Sequence, residues 1–296
     1  MALQSPALTL SIEALFGHIR PALDLIDALG PTDFSKDAPG VEVKPGATIK
    51  VPLSTVSAAL QFNEASNNYL TGGATTWASL TATHYLQGFD IKGENIDQGV
   101  NAPRIRQLFS KRCGVGIAMA VRNAIRTALD NTTTIPASTA VQIPATATLE
   151  AYDGLAHAKD WYDPAEACLV VNGTEFATIK KLMHAAHLSA TPDSIAAELG
   201  FRKVIPLAGM TRRACIVPYS SIGFVARVPA LVADFPEAGV ETDEKSGLSL
   251  GIVVAEEQGV NKRVVNGDLW FGCATVGSPA GATTPGIIGV GTASAS

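Results

Sequence analysis

The longest regular pattern in this sequence is a helical one that begins at Pro103 and runs to about Leu129. Its apolar residues recur every three or four positions, which is the spacing of one face of an α-helix: Ile105, Leu108, Phe109, Ile117, Ala120, Val121, Ala124, Ile125 and Ala128. Basic residues fall mostly on its other flank: Arg104, Arg106, Lys111, Arg112, Arg122 and Arg126. Gly114 and Gly116 weaken its middle by about 1 kcal/mol each relative to alanine, which predicts a bend or a close helix crossing.

Two alternating runs precede this helix and predict a long β-hairpin. In the run from Val41 to Leu53, apolar residues alternate with polar or small ones, and Pro52 limits that strand to an edge or a bulge. The run from Leu80 to Ile91 is the expected partner, with a bulge where its alternation slips near Gly88. The segment between the runs is polar, rich in glycine and too long for a tight turn. Because an isolated hairpin is marginal in water, we expect packing on another chain to order it.

The N-terminal segment predicts an arm. Apolar residues at helical spacing lie between residues 11 and 29, and Pro21 interrupts them, so we expect two short helices or one kinked helix. Gly30 and Pro31 end this pattern, and the polar segment PTDFSKDAPG follows. We expect this region to reach away from the core and bind a neighbouring chain.

The second half of the chain has an α/β pattern. Helices are expected from Leu149 through Trp161, from Thr174 to about Ala186, and after Thr191 and Pro192, which form a good helix start. Strands are expected at residues 167–171, 203–207, 213–217, 223–228, 248–255 and 262–276, with a turn at Asn266 and Gly267 inside the last. The polar segment from Asn131 to Glu150 is expected to be a surface loop or crossing. The C-terminal tail is rich in Gly, Ala and Thr, and its last residues are expected to be mobile.

Composition excludes several classes of protein. The chain has 296 residues, 47% of them hydrophobic, which suffices for a large core in one large or two interleaved domains. A formal net charge of -5 disfavours a dedicated nucleic-acid reader. The widely spaced cysteines argue against a zinc site, a redox motif or a disulfide framework, and predict buried small hydrophobes: Cys113, Cys168, Cys215 and Cys273. Neither a signal peptide nor an apolar run of about 18 residues is recognisable, so we expect synthesis in the cytoplasm and no membrane partner.

The sequence offers little evidence of chemistry. It has no Walker loop, no Gly-x-Ser-x-Gly elbow and no His-Glu-x-x-His motif. Gly114 and Gly116 imitate the start of a dinucleotide fingerprint, but they lie inside a helical pattern. His184 and His187 could face one metal, although no third ligand is near in sequence, so an ordinary helix surface is the better interpretation. We therefore predict no catalytic residue, no cofactor and no metal site, and hence no enzyme.

The order of elements and three stretches of sequence resemble one known family. The stretches are WYDPAEACLVVNGTEFATIKKLM, RRACIVPYSSIGFVARVPAL and GIVVAEEQGVNKRVVNGDLWFGCATVGSPAG. They look like the strand-turn-helix segment, the later short strands and the closing strands of the major capsid (coat) proteins of tailed bacteriophages. The resemblance implies an α+β class and the phage major capsid protein fold, with a long projecting β-hairpin, a long spine helix, a peripheral α/β domain and an axial domain.

The resemblance also implies a domain organisation. Residues 1–40 would form the N-terminal arm and 41–100 the extended hairpin loop. Residues 101–165 would form the spine helix and the start of the peripheral domain, and 166–255 the axial domain with adjoining strands. Residues 256–296 would form the closing strands of the peripheral domain and the C-terminal tail.

The resemblance implies partners as well. The chain would assemble with itself as pentamers and hexamers into an icosahedral virion shell in the host cytoplasm. It would meet a portal and, because it lacks a long charged N-terminal extension, a separate scaffolding protein. Packaged double-stranded DNA would be contacted without sequence specificity. Candidate subunit-interface residues are two aromatic anchors, a neighbouring amide and the first basic residues of the spine helix: Tyr69, Trp77, Asn67, Arg104, Arg106, Lys111 and Arg112.

Three other interpretations stay open at this point. A cellular nanocompartment shell has the same fold and encloses a cargo enzyme instead of a genome. An α/β enzyme could carry catalytic groups scattered along the chain without a recognisable motif. A tail-tube or decoration protein also uses hairpins and arms, although such proteins are typically shorter and lack a spine helix. The basic side of the spine helix could meet DNA or a neighbour, or could be a solvated face.

Overall fold

A computed structural model gives the fold of the chain. The structure describes residues 6–30, 32–33, 48–53, 76–92, 102–131, 135, 141–144, 146–157, 163–219, 221–228, 237–242, 248–257, 262–275 and 286–292. Its helices are α1 (Pro6–Leu29), α2 (Ala102–Asp130), α3 (Leu149–Ala156), α4 (Gly173–Ala185) and α5 (Pro192–Glu198). Its first strands are β1 (Thr32–Asp33), β2 (Thr48–Leu53), β3 (Thr76–Thr81), β4 (Thr83–Lys92), β5 (Val141–Ile143), β6 (Ala167–Val171) and β7 (Lys203–Pro206). The remaining strands are β8 (Ala214–Pro218), β9 (Ile222–Arg227), β10 (Glu237–Thr242), β11 (Ser249–Glu257), β12 (Lys262–Thr275) and β13 (Ile288–Thr292).

The predicted long helix is confirmed as α2, and α1 packs along it. Of the two predicted alternatives, two short helices or one kinked helix, the structure has a single helix α1, which Gly30 ends in the left-handed conformation at φ +57°. The prediction that this region reaches away from the core is wrong for the second half of α1. Its side chains Ile19, Leu23, Ile26 and Leu29 are fully buried in the main core with those of α2, because one whole face of the helix is apolar.

A six-stranded sheet covers one side of these two helices. Its strand order is β1-β9-β12-β11-β10, and β4 also pairs with β12. The long strand β12 is its centre, since it pairs antiparallel with β4, β9 and β11. Leu250, Ile252, Leu269 and Phe271 point from this sheet into the main core. The predicted strands 223–228, 248–255 and 262–276 are confirmed, whereas β10 was not predicted.

The predicted hairpin pairing is wrong in register. Strand β2 pairs with β3, so that Thr48 lies opposite Thr81 and Leu53 opposite Thr76. The run from Leu80 to Ile91 divides at Ala82 rather than at Gly88, and its longer part, β4, pairs with β12 in the six-stranded sheet. Ala82 is buried against Val225 and Trp270, and this packing against the sheet fixes the break between the two strands.

The expected turn at Asn266 and Gly267 is also wrong, because both residues lie inside the continuous strand β12. A Cβ on Gly267 would lie 2.7 Å from Cys113 Sγ and 2.8 Å from Ile117 Cδ1 of α2. This glycine therefore permits close contact between helix and sheet. Gly116 plays the same part from the helix side, since a Cβ there would lie 2.9 Å from Cγ of Gln87 on β4. The close approach that the helix glycines predicted therefore exists at Gly116, but the element that approaches the helix is a strand and not a second helix.

A five-stranded sheet with the order β5-β13-β8-β6-β7 forms the second layer. Alternate residues of its central strands face opposite sides: Cys168, Val170, Cys215 and Val217 join the main core, while Ala167, Leu169, Val171, Ala214 and Ile216 join a second core. Helices α3, α4 and α5 contribute to that second core. A sheet covered on both faces accounts for the uninterrupted apolar run of β6.

Most predicted elements of this layer are confirmed, with three corrections. The predicted starts of α4 and α5 hold, with Asn172 and Thr191 as the caps. Helix α3 ends at Ala156 and does not reach Trp161, and Thr148 caps its start. The supposed loop of residues 131–150 contains β5, whose Ile143 is buried. The C-terminal tail contains β13, which is buried between β5 and β8, while residues 293–296 lie outside the described residues.

Replacing Gly267 tests the contact between α2 and β12. The Gly267→Val variant should lower the free energy of unfolding by about 1 to 3 kcal/mol, because the added atoms would overlap Cys113 and Ile117. Chemical denaturation followed by circular dichroism measures this change. Gly154→Ala is the matched control, since no atom lies within 4 Å of its added Cβ and alanine favours the helix. Equal stability of Gly267→Val and the wild-type protein would contradict the close contact.

The cysteines are confirmed as small buried side chains at three positions, Cys113, Cys168 and Cys215, and Cys273 is partly buried. All four are free thiols. Burial raises the pKa of Cys113 to about 11 and that of Cys215 to about 12, and it also raises the pKa of Cys168. Their thiolate fraction at neutral pH is therefore very small.

Thiol labelling tests whether these cysteines are buried as described. In a Cys273→Ser background at pH 8, a water-soluble disulfide reagent should leave Cys113, Cys168 and Cys215 unmodified in the folded protein. The same reagent should label three thiols per chain after denaturation in urea. Absorbance of the released thiolate counts them, and rapid labelling of the native protein would show that the packing around α2 opens readily.

Candidate subunit-contact surfaces

The six-stranded sheet has an inner face against α2 and an outer face on the opposite side. Gln87 and Gly267 face α2, and they lie opposite each other across β4 and β12. Because side chains alternate along a strand, the neighbouring row points outward. That row crosses four strands, in the order Val240, Gly251, Asp268 and Leu86. We call this row, with His84 beside it, the outer-sheet surface.

Exposed apolar side chains lie at both ends of this row. Leu86 and Val240 are each 57% exposed, which is unusual for large aliphatic groups in the described part of the chain. Gly251 between them has no side chain, and Asp268 is buried. The outer-sheet surface therefore carries two separate exposed apolar side chains, one at each end of a row across the sheet.

A histidine and an aspartate form the polar part of the outer-sheet surface. His84 Nε2 lies 2.5 Å from Asp268 Oδ1, and the His84 ring packs edge-on against Trp270 at a centroid distance of 5.7 Å. Burial raises the pKa of Asp268, and the hydrogen bond from His84 opposes that rise. Since His84 lies at the start of β4, close to the root of the hairpin, the pair ties this root to the central strand β12.

The hairpin root also packs directly on β12. A Cβ on Gly272 would overlap the carbonyl oxygen of Thr81 and lie 3.1 Å from the Cα of Ala82. Leu80 and Ala82 are fully buried at this point. The hairpin of β2 and β3 is thus held at its base by the six-stranded sheet, while in the described residues β2 pairs only with β3.

The side of α2 that faces away from both the sheet and α1 forms a second candidate surface. Lys111 and Arg112 are exposed, and Val115 and Met119 are 41% and 59% exposed. Their spacing of three and four residues places Arg112, Val115 and Met119 along one stripe of the helix. We call these four residues the spine stripe. No carboxylate within the described ranges lies within ion-pair distance of Lys111 or Arg112.

The predicted interface residues have different outcomes. Lys111 and Arg112 lie on the spine stripe, and both are exposed. Arg104 and Arg106 belong to the first turns of α2, and Trp77 lies in β3 opposite Pro52, but their side chains are outside the described set. Asn67 and Tyr69 lie outside the described residues altogether. A contact role for all seven stays a prediction.

Several surface residues were not predicted. Val115 and Met119 follow Lys111 at intervals of four along the helix, so a helical wheel that included the basic flank could have revealed them. Leu86 and Val240 fall on one row of the sheet only through pairing across β4, β12, β11 and β10. No local sequence signal predicts that row, because it depends on the register of three strand pairs.

The strongest buried polar cluster lies in the five-stranded layer. Glu175 at the start of α4 accepts hydrogen bonds from Arg213 Nε at 3.0 Å and Nη2 at 2.7 Å, and also from the Tyr152 hydroxyl. Arg213 Nη1 further donates to the carbonyls of Ile143 and Pro144. Burial and the neighbouring Glu175 raise the pKa of Tyr152, and the hydrogen bond to Glu175 raises that of Arg213. The cluster ties α3, α4, β5 and β8 together.

The described residues contain no group of three or more His, Cys, Asp or Glu side chains placed to hold a metal ion. His184 and His187, the candidate metal pair, are both exposed, and His187 has a φ of 59° after the end of α4. Within the described ranges, no helix is sufficiently long and apolar to span a membrane.

Solved structures with the same arrangement are found among particle-forming proteins. The chain is similar to the "Capsid of Ralstonia phage GP4", with a TM-score of 0.54, 10% identity, and 88% of this chain and 89% of that chain covered. It is similar to a "virus-like particle from Pyrococcus furiosus", with a TM-score of 0.53, 12% identity, and coverage of 94% and 96%. It is also similar to the "Capsid of empty GTA particle", with a TM-score of 0.52, 12% identity, and coverage of 90% and 88%. The sequence matches no protein-family model and no curated protein sequence.

These similarities define the class of fold, which is a mixed α+β fold built on a spine helix packed against sheets. It is the fold of the phage major capsid proteins, as the order of elements in the sequence predicted. At 10 to 12% identity the likeness concerns the fold alone.

Removing the charge of Glu175 tests the buried cluster. Glu175→Gln should lower the free energy of unfolding by about 2 to 3 kcal/mol, because it weakens the charge-assisted hydrogen bonds of the partly buried Arg213 guanidinium. Urea denaturation followed by circular dichroism measures the loss. Glu150→Gln, an identical change at an exposed position in the first turn of α3, should cost less than about 1 kcal/mol. Similar losses in the two variants would contradict the buried role of Glu175.

Proposed function

We propose that this chain is the major capsid protein of a tailed bacteriophage, which assembles into an icosahedral shell around the phage genome. The observation that carries this proposal is the arrangement of three parts: α2, the six-stranded sheet, and the hairpin of β2 and β3. The hairpin joins the six-stranded sheet where β3 leads into β4. Particle-forming proteins have this arrangement over about nine tenths of both chains. The role is structural, and no catalytic step is proposed.

The hairpin supports self-assembly on physical grounds. A two-stranded sheet is marginal in water, and in the described residues β2 and β3 pair only with each other beyond their anchored root. A neighbouring subunit that covers the hairpin would offset the cost of ordering it. Leu86 and Val240 on the outer-sheet surface are suitable apolar contacts for such a neighbour.

The proposal assigns a role to each part of the chain. Residues 41–100 would lie over an adjacent subunit, with Asn67, Tyr69 and Trp77 among the contacts. Residues 1–40 would contact another subunit through the part that precedes the buried half of α1. Residues 166–255 would supply the axial domain around five-fold and six-fold centres of pentamers and hexamers, and 256–296 would close the peripheral domain that begins within 101–165.

The same proposal includes partners and a location. Assembly would take place in the host cytoplasm with a separate scaffolding protein and a portal, and the product would be the virion. Double-stranded DNA would fill the shell without sequence-specific contacts. These partners follow from the class of particle proposed.

A nanocompartment shell is the second candidate function. One observation favours it: the similarity to the virus-like particle from Pyrococcus furiosus covers 94% of this chain, compared with 88% for the phage GP4 capsid. Both functions need a closed shell, so they differ in the contents. Nuclease-resistant double-stranded DNA in particles purified from the natural source would support the capsid, and an enzyme cargo would support the nanocompartment.

Shortening the hairpin tests the proposed assembly. Leu53 and Thr76 are paired, so residues 54–75 can be replaced by Asn-Gly to close a tight hairpin without shifting the register. The variant subunit should keep the thermal stability of the wild-type subunit, because its cores are unchanged, but it should form no closed shells. Negative-stain electron microscopy and size-exclusion chromatography of both proteins measure the outcome.

A second variant separates hairpin contacts from hairpin length. Replacing residues 54–75 by a Gly/Ser linker of equal length should also abolish closed shells, because the linker retains the length but not the contact side chains. Normal shells from the Asn-Gly variant would contradict the hairpin role. If the wild-type chain forms no rings, tubes or shells alone or with a scaffolding partner, the proposed function itself fails.

A further inference from the structure

The spine helix has a charge opposite to that of the rest of the chain. It contains six of the chain's 22 basic residues but only one of its 27 acidic residues. The helix therefore has a formal charge of +5, while the remainder of the chain has a formal charge of −10. Such an asymmetry favours contact between this helix and the acidic surface of another molecule of the same protein.

The spine stripe combines this charge with exposed apolar groups. Val115 and Met119 are two of the five large hydrophobic side chains that are exposed in the described residues, and they lie one turn apart next to Arg112. Contacts with a DNA backbone use basic and polar groups and gain little from a valine or a methionine. Protein interfaces, in contrast, are enriched in methionine and arginine. The composition of the stripe therefore favours a protein partner.

We propose that the spine stripe docks on an acidic surface of a second copy of this chain. This inference rests on the proposed function, which supplies the second copy, and it adds one of the surfaces through which copies meet. A two-fold contact of the stripe with itself would bring Lys111 and Arg112 close to their own equivalents, and like charges repel. The stripe of one copy therefore meets a different surface of the next copy, as in the head-to-tail contacts that form rings when their rotation closes.

Zero-length cross-linking tests the contact directly. Particles are co-assembled from equal amounts of unlabelled and ¹⁵N-labelled chains and treated with a water-soluble carbodiimide, which joins an amine to a touching carboxylate with loss of water. Mass spectrometry of the digest should find Lys111 linked to an Asp or Glu, with one peptide light and the other heavy. Links within one isotope only, links to another protein, or no Lys111 link would overturn the inference.

Charge reversal gives a second readout. Arg112→Glu and Met119→Ser should each leave the subunit folded, because both side chains are exposed. Arg112→Glu should raise the critical concentration for assembly by about tenfold, and Met119→Ser should raise it by a smaller factor. Light scattering across a concentration series measures both. Lys181→Glu, the same charge change at an exposed position on α4, is the matched control.

The outcomes separate this inference from the proposed function. A raised threshold in Arg112→Glu and Met119→Ser, but not in Lys181→Glu, supports docking on a second copy. A loss in Arg112→Glu alone, together with weaker binding to a DNA duplex in gel-shift titrations, would assign the stripe to nucleic acid and overturn the inference. If wild-type particles form and none of the variants changes the threshold, the inference fails while the shell function stands. If wild-type particles never form, the proposed function fails first.

Discussion

The close contact of the spine helix α2 with strand β12 is the constraint on which the rest of the structure depends. At Gly267 the strand has no side chain, so Cys113 and Ile117 can reach its backbone, and Gly116 lets Gln87 approach the helix from β4. This approach brings Leu269 and Phe271 into the same core as the buried face of α2. Because α1 lies along α2, that core then takes in the second half of α1 as well. The position of the outer-sheet surface and the direction of the spine stripe both follow from which side of the sheet the helix occupies.

The two helices also connect the two sheets. Cys168 Sγ on β6 donates to the carbonyl of Ala28 at 3.1 Å, so the end of α1 rests on the five-stranded sheet. The end of α2 rests there too, since the Asp130 carboxylate accepts hydrogen bonds from the backbone N–H groups of Thr211 and Arg212 at 3.0 to 3.2 Å. The central strands of that sheet face the helices on one side and the second core on the other. Displacement of either sheet would therefore disturb the helix ends, and the body of the subunit is expected to move as one unit.

The parts of this fold that could be predicted from sequence are those with local periodicity. The spine helix, strand β6 and the capped starts of α4 and α5 follow from spacing and capping residues alone. The errors concern non-local pairing: β3 and β4 read as one alternating run, and the break at Ala82 exists because of Val225 and Trp270, which are far away in sequence. Asn266 and Gly267 resemble a turn in sequence. In the structure, the glycine instead leaves room for α2, a helix that lies more than a hundred residues earlier in the chain. The exposure of the candidate surfaces was predictable only where they follow a helix, as for Lys111 and Arg112, and not where they cross four strands.

The buried and exposed residues distinguish the contacts that stabilise one folded chain from the surfaces that are candidates for contacts between chains. Within the described residues, the helices and sheets of one chain cover each other's apolar faces, and Glu175 beneath α4 is paired with Arg213. Among the described residues, the large apolar side chains that one subunit leaves exposed include Leu86 and Val240 at the ends of the outer-sheet row and Val115 and Met119 on the spine stripe. The outer-sheet surface and the spine stripe face away from each other, because α2 lies on the inner side of the sheet and the stripe lies on the far side of α2, so one flat contact cannot cover both. In the proposed shell, each subunit would therefore use different surfaces for different neighbours.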